Sequence, residues 1–213
     1  MSNEEATMKS MKRSNVLSVR TIAVVAVLSA MAGVLMVLEV PLPFLPPFYK
    51  LDFGELPALL GGFALGPAAG AAIEALKVLI KMLIKGTTTI GIGDLTNFLV
   101  GCAFIVPAAA IYRKNKTRKG AVLGMVIGTL AMAVLGGLLN AYVMLPFYAT
   151  AFGWPMDKII AMGSAVNKAI SDLPSFVLLA TTPLNLLKGV SVSVITFLLY
   201  KRVSPILHGA NKK

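Results

Sequence analysis

The chain has 213 residues, of which 57% are hydrophobic and 14% are charged. Soluble domains are about 45–50% apolar and about 25% charged, so this composition excludes both an ordinary soluble domain and a disordered chain. One cysteine, Cys102, and one histidine, His208, exclude a disulfide framework and the usual Cys or His metal clusters. The net charge of +11 therefore indicates basic segments at a membrane face rather than nucleic-acid binding.

The first half of the chain predicts three helices. A helix needs about 20 apolar residues to cross a hydrocarbon core about 30 Å thick, and residues 21–38 are uncharged over such a length. The next apolar run, residues 56–84, is broken by Gly66-Pro67, a dipeptide typical of a tight turn between two shorter helices. The basic start and the small residues at 30–32 resemble a signal peptide, but the apolar run continues and further spans follow, so cleavage is not expected.

The second half predicts three more spans, at residues 95–112, 120–145 and 174–200. Asp172 precedes the last span with a proline in the first turn, which is typical of a helix N-cap. Residues 150–171 are less apolar and predict a loop with a short helix. The predicted fold is therefore an all-α integral membrane protein with six transmembrane helices.

Lysine and arginine predict its orientation. Most of the 20 basic residues lie in residues 9–20, 113–119 and 201–213. With six spans, these segments fall on one side, which the positive-inside rule assigns to the cytoplasm. Both termini are therefore expected in the cytoplasm. The predicted organisation is a basic N-terminal segment, a transmembrane domain and a basic tail, at residues 1–20, 21–202 and 203–213.

Ionisable side chains within the predicted spans are functional candidates, because charge inside a bilayer is costly. Glu74 and Lys77 are three residues apart on one helix face, with Lys81 one turn later. Two alternatives remain open for Glu74 and Lys77, an internal ion pair and direct contact with a ligand, and the ion pair is the simpler one.

Amides and a lysine in the later spans are stronger ligand candidates. Asn185 and Lys188 share a helix face, and Lys188 lies about 18 Å from the cytoplasmic end of its span, too far for its ammonium to reach that water. We expect Lys188 to face outer water, a partner or, preferably, a ligand. Asn140 is a similar candidate, whereas Asn97 either caps the fourth span or bridges helices.

Small residues and prolines form two further patterns. Ala26 and Ala30 are four apart on the first span, with Gly33 near the same face, a spacing that lets helices approach closely within the bundle or in a complex. Prolines prevent a helix over residues 41–50, an apolar, aromatic stretch expected to cover a site or to lie on the membrane surface. Residues 86–93, rich in glycine but without a following Lys-Ser or Lys-Thr, predict a flexible outer loop rather than a phosphate-binding loop.

Several blocks together resemble the substrate-binding S-components of energy-coupling factor (ECF) vitamin transporters, most closely the riboflavin-specific type. The first block is FYKLDFGELPALLGGFALGP at residues 48–67, and the second is the E-x-x-K element from Glu74 to Lys77. The third is GTTTIGIGDLTNF at residues 86–98, and Asn140 with Pro-Phe-Tyr shortly after it adds a fourth. The resemblance extends over about residues 21–202.

This resemblance implies a six-helix bundle in the bacterial plasma membrane that binds riboflavin from outside, beneath an outer loop. Riboflavin is then a transported ligand, not a cofactor. A transmembrane coupling protein and two ATPase subunits supply the energy, and Ala26 and Ala30 match the family's docking motif for the coupling protein. An asparagine amide can pair with the donor and acceptor edge of the flavin ring. The predicted substrate-binding residues are Tyr49, Leu51, Asn97, Asn140, Asn185 and Lys188.

Alternative functions differ in substrate or in class. Another vitamin or FMN would use the same fold, and a stand-alone facilitator or channel would need no coupling protein. An intramembrane enzyme is not expected, because the chain has no H-E-x-x-H, G-x-S-x-G or ATP-binding motif.

Overall fold

The computed structural model describes residues 19–208, with side chains described as far as residue 199. The basic segments before residue 19 and after residue 208, which the sequence predicts to lie in the cytoplasm, are outside the described residues. The described chain is mostly helical, and its longer helices are α1 Val19–Val37, α2 Glu55–Leu65, α3 Pro67–Lys85, α4 Ile92–Lys114 and α5 Arg118–Leu139.

Three shorter helices and a long one complete the chain: α6 Leu145–Ala151, α7 Met156–Ser164, α8 Leu173–Phe176 and α9 Thr182–His208. Two π-helical turns, Asn140–Met144 and Val177–Thr181, join α5 to α6 and α8 to α9. The sequence analysis did not predict these turns, and it ended the last span at residue 200, whereas α9 continues to His208. The predicted loop with a short helix is confirmed, since α7 lies within it.

Within the described residues, four helical stretches are long and apolar enough to cross a membrane: Val19–Val37, Ile92–Lys114, Arg118–Ala151 and Leu173–Leu199. The second apolar run of the sequence gives α2, which is too short for a span with its 11 residues, and α3, which has charged residues among its 19.

The predicted turn between α2 and α3 is confirmed. Gly66 has a φ of 104°, a conformation that favours glycine, and Pro67 starts α3, where its missing N–H is not needed. The predicted cap of the last span is also confirmed, because the Asp172 side chain accepts a hydrogen bond from the Ser175 backbone N–H.

The proline-rich segment (residues 41–50) is not helical, as predicted. Its ends form a short antiparallel ribbon in which Val40 pairs with Leu51 and Pro41 with Lys50. Leu45 and Tyr49 point inward and are 5% and 7% exposed. They belong to an apolar cluster with α6, α7, α8 and the second π turn, so the segment closes one end of the bundle.

The main apolar core lies between α2, α3, α4, α5 and α9, with α1 packed on one side. Short α2 contacts α1, α3, α4 and α9, so its N-terminus is surrounded by longer helices. Polar side chains at this N-terminus therefore lie inside the bundle, which positions the site described next.

Ala26 and Ala30 lie on the exposed side of α1. Gly33, which the sequence predicts near the same face, is buried because Ile80 of α3 covers it. Packing within the bundle therefore explains Gly33 but leaves the two alanines free for another helix.

Candidate functional site

A polar cavity of about 210 Å3 lies beneath the proline-rich segment. Its walls come from the end of α1, the start of α2, α4, α5, the first π turn and α9. The segment itself contributes Phe48, Tyr49 and Lys50, and Tyr148 of α6 completes the rim. Helices far apart in sequence therefore meet around one space.

The predicted substrate-binding residues fall mostly in this cavity. Tyr49, Asn97, Asn140, Asn185 and Lys188 all line it. Leu51 is not among the lining residues; it is partly exposed in the ribbon, where it pairs with Val40.

Hydrogen bonds join the proline-rich segment to both π turns. The Tyr49 hydroxyl donates to Asn140 Oδ1 at 2.8 Å and lies 2.6 Å from Thr181 Oγ1. Because the phenol has one proton, Thr181 donates to Tyr49 in this arrangement. Burial raises the pKa of the Tyr49 phenol far above its usual value, so the hydroxyl keeps the proton it donates.

The two amide side chains of the cavity lie at or just after the π turns. Asn140 begins the first turn, and its Nδ2 donates to Gly136 O at 3.1 Å. Asn185 follows the second turn, and its Nδ2 donates to Thr181 O at 3.1 Å. Each side-chain amide has two donors and an oxygen acceptor, so both keep hydrogen-bonding capacity toward the cavity. Such π turns occur often at functional sites.

Lys188 has two carboxylate partners that the sequence analysis did not include. Its Nζ lies 2.8 Å from Asp52 Oδ2 and 2.7 Å from Glu55 Oε1. All three side chains are buried, and all three line the cavity. A signal was present in the sequence, since Asp52 and Glu55 are ionisable residues directly before an apolar run.

The ion network continues from Glu55 into α3. Lys77 Nζ lies 2.8 Å from Glu55 Oε1 and also pairs with Glu74. Lys77 further donates to Asn97 Oδ1 at 3.2 Å, so Asn97 bridges α4 to α3, one of its two predicted roles. The predicted pair of Glu74 and Lys77 is therefore present as an internal ion pair, and neither residue lines the cavity.

Glycine makes room for this network. A Cβ atom at Gly101 of α4 would collide with the Glu74 carboxylate, so α4 can approach α3 only because this position lacks a side chain. Breaking one member of a buried ion pair costs about 3–5 kcal/mol, because the partner is left charged and unpaired. The network therefore fixes the geometry of α2, α3 and α9 around the cavity.

A second ion cluster lies at the edge of the proline-rich segment. Glu39 Oε1 lies 2.6 Å from Lys50 Nζ and 2.5 Å from Lys85 Nζ. Partial burial alone would raise the pKa of Glu39, but the hydrogen bonds and charges of the two lysines outweigh it and hold the pKa below its usual value. The cluster ties the segment to the ends of α1 and α3.

Aromatic rings cover the cavity next to this cluster. Phe48 is stacked on Phe176 with ring centroids 6.2 Å apart and an interplanar angle of 10°. Tyr148 meets the Phe48 ring edge-on at 5.6 Å. Such contacts contribute about 0.5–1.5 kcal/mol each, a cost that outward movement of Phe48 must overcome.

A larger groove, of about 430 Å3, lies elsewhere, between α5 and α9. Its walls are almost entirely apolar, with Thr129 and Ser193 as its polar residues. Specific small-molecule sites combine apolar walls with a few placed polar groups, and the smaller cavity has such groups. The cavity beneath the proline-rich segment is therefore the candidate binding site.

Comparison with known proteins identifies the family. The family model for ECF transporter, substrate-specific component, matches residues 20–200. The chain belongs to this family. A solved structure described as the S component of a bacterial ECF transporter aligns with a TM-score of 0.68 and 31% sequence identity, covering 88% of this chain and 97% of that one.

Two relatives of this S-component are riboflavin transporters. The riboflavin transporter FmnP of Bacillus subtilis (strain 168) is 33% identical over 190 residues, which cover 89% of this chain and 94% of the relative. The riboflavin transporter RibU of Staphylococcus aureus (strain TCH60) is 30% identical over 200 residues, which cover 94% and 98% of the two chains.

These relatives confirm several predictions. The resemblance to ECF S-components is correct, and the S-component is a multi-pass protein of a bacterial membrane. Because the relatives are transport proteins, the prediction that the chain is not an enzyme is confirmed as well.

Proposed function

We propose that this S-component binds riboflavin and serves as the substrate-capturing subunit of an ECF uptake transporter. The observation that carries the proposal is the polar cavity, in which Asn140, Asn185 and Lys188 meet beneath the proline-rich segment. Two relatives of the chain are riboflavin transporters. Riboflavin, rather than FMN or another vitamin, is therefore the proposed ligand.

The chemistry of the cavity suits a flavin. The isoalloxazine ring is flat and largely apolar, and one edge alternates acceptor, donor and acceptor. The amides of Asn140 and Asn185 offer both donors and acceptors to such an edge. Met36, Met132 and Leu184 supply apolar surface for the ring faces.

Entry of the ligand requires the proline-rich segment to move. Cavities that bind small molecules usually measure about 300–1,000 Å3, more than the 210 Å3 found beneath the segment. The Phe48 and Tyr49 side chains line the cavity, and both belong to the segment. We propose that the segment is a lid that swings outward to admit riboflavin and then closes over it.

The proposed topology has six helices in the membrane with both termini in the cytoplasm. In this arrangement α2 and α3 both enter the bilayer. Glu74 and Lys77 of α3 lie in the buried ion network, and Lys81 pairs with Asp94 of α4. The lid then faces the outside, and the basic residues 113–119 face the cytoplasm, consistent with the positive-inside rule.

Energy for transport comes, in this proposal, from a transmembrane coupling protein and two ATPase subunits. Ala26 and Ala30 form the proposed docking surface, because both are exposed on α1 and small residues let a partner helix approach closely.

Riboflavin titration tests the proposal directly. Protein purified in detergent should quench riboflavin fluorescence with a saturable, one-to-one curve, and FMN, thiamine and biotin should compete weakly. Asn140→Leu should weaken binding, whereas Asn115→Leu, at an exposed turn, is the matched control. Saturable binding of thiamine or biotin without riboflavin binding would overturn the proposed substrate while leaving the family assignment intact.

A further inference from the structure

The apolar groove between α5 and α9 is separate from the cavity proposed to bind riboflavin. It measures about 430 Å3 and is lined by Val122, Val126 and Leu130 on one wall and by Val190, Val194 and Phe197 on the other. These six side chains are between 42% and 55% exposed. None of the cavity-lining residues contributes to it.

The dimensions of the groove match one leaflet of a bilayer. On α9 it extends from Leu186 to Leu198, about 18 Å at 1.5 Å per residue. Half of a hydrocarbon core is about 15 Å. A single acyl chain therefore has the length needed to fill the groove from the membrane surface to the bilayer centre.

The rim of the groove favours a lipid chain over a protein helix. Helices in membranes dock where small residues let backbones approach, as at Ala26 and Ala30. Valine, leucine, methionine and phenylalanine line most of the groove instead, with Thr129 and Ser193 as its polar residues. These longer side chains keep a partner backbone at a distance, whereas a hydrocarbon chain can lie between them.

Positive charge stands at one end of the groove. Arg118 and Lys119 lie one turn before Val122, and both are exposed. No aspartate or glutamate occurs in residues 95–156 or 173–213, which include all of α5 and α9. Within the described part of the chain, neither Arg118 nor Lys119 forms a salt bridge.

We propose that the groove is a binding site for one anionic phospholipid. An acyl chain lies between α5 and α9, and the phosphate of the headgroup lies against Arg118 and Lys119. This site is formed by different helices from the proposed α1 docking surface, so the lipid and a coupling protein can bind together.

Native mass spectrometry tests the proposal. Protein in detergent is mixed with equal amounts of palmitoyl-oleoyl phosphatidylglycerol and phosphatidylcholine, and the lipid that stays bound is counted. We expect one phosphatidylglycerol to be retained in preference to phosphatidylcholine. Each basic residue near a membrane surface contributes about 1 kcal/mol to anionic lipid binding, so Arg118→Gln with Lys119→Gln should weaken retention about 30-fold.

The second part of the experiment fills the groove with larger side chains. Val126→Trp with Val190→Trp should abolish retention, whereas Val134→Trp, on an exposed face of α5 outside the groove, should not. Lys158→Gln with Lys168→Gln is the matched control for charge. Riboflavin quenching checks that each variant is folded. If the groove-filling double variant does not fold, the smaller substitution Val190→Phe is used in its place.

Three results would overturn the proposal. Equal retention of both lipids by the wild type would show that charge does not select the lipid. Retention that survives the groove-filling variants would show that the lipid is held by the basic surface alone. Loss of retention in the charge control would show that total charge, rather than Arg118 and Lys119, decides.

Discussion

The substitution Lys188→Met keeps the side-chain length but removes an ammonium that lies 2.8 Å from Asp52 and 2.7 Å from Glu55. Removing one partner of a buried ion pair costs about 3–5 kcal/mol. Glu55 still has Lys77 at 2.8 Å, so Asp52 bears most of this loss. We therefore expect a lower melting temperature for Lys188→Met and a partial recovery for Lys188→Met combined with Asp52→Asn.

Riboflavin binding should not recover in the same way. A hydrogen bond from a charged donor contributes about 1.5–3 kcal/mol, which corresponds to about 10- to 150-fold in Kd. If Lys188 contacts the ligand, this weakening should appear in the double variant as well as in the single one. Fluorescence quenching measures the Kd, thermal unfolding followed by Trp154 emission measures stability, and the exposed Lys168→Met is the control.

Wild-type affinity in the double variant would refute this reasoning. It would show that Lys188 serves to balance the charges of Asp52 and Glu55, and that the ligand contacts other groups. Wild-type stability in the single variant would refute the energetic argument, because it would show that water or protonation compensates Asp52 at low cost.

Three further predictions concern docking, the lid and topology. Ala26→Trp with Ala30→Trp should leave riboflavin affinity unchanged but abolish ATP-driven uptake, because bulky rings hold a partner helix away. The Glu39 ion cluster should hold the lid at neutral pH and release it below about pH 4. Because the pKa of Glu39 is lowered, its ion pairs stabilise the closed lid at pH values above the usual carboxyl pKa, and this stabilisation is lost as the carboxylate is protonated. Riboflavin should therefore dissociate faster from the wild type in acid, and it should dissociate fast from the Glu39→Gln variant at every pH. In a cysteine-free background, an impermeant maleimide added outside should label Thr88→Cys but not Asn115→Cys.

Each of these has a clear contrary result. Loss of binding in the alanine double variant would mean that the alanines pack within the bundle. A dissociation rate that changes equally with pH in wild type and Glu39→Gln would assign the acid effect to another group. External labelling of Asn115→Cys would contradict the six-helix topology.

Local sequence was enough to predict much of the fold. Long uncharged runs predicted the spans because transfer of apolar side chains into a bilayer depends on composition over about 20 residues. The break at Gly66-Pro67 and the cap at Asp172 were predictable because they depend on neighbouring residues. The pair of Glu74 and Lys77 was predictable too, since residues three apart on a helix meet without help from the rest of the chain.

The polar partners inside the bundle were decided by tertiary structure. Lys188 and Asp52 are 136 positions apart, and Tyr49 and Thr181 are 132 apart. The sequence indicated that Lys188 needs a partner at its depth, but many side chains could supply one. Which of them does so depends on how short α2 enters the bundle and on the π turns that follow α5 and precede α9. Those features arise from the packing of whole helices. An unpaired polar group inside the bundle is costly, but its neighbours in sequence do not determine which distant side chain becomes its partner.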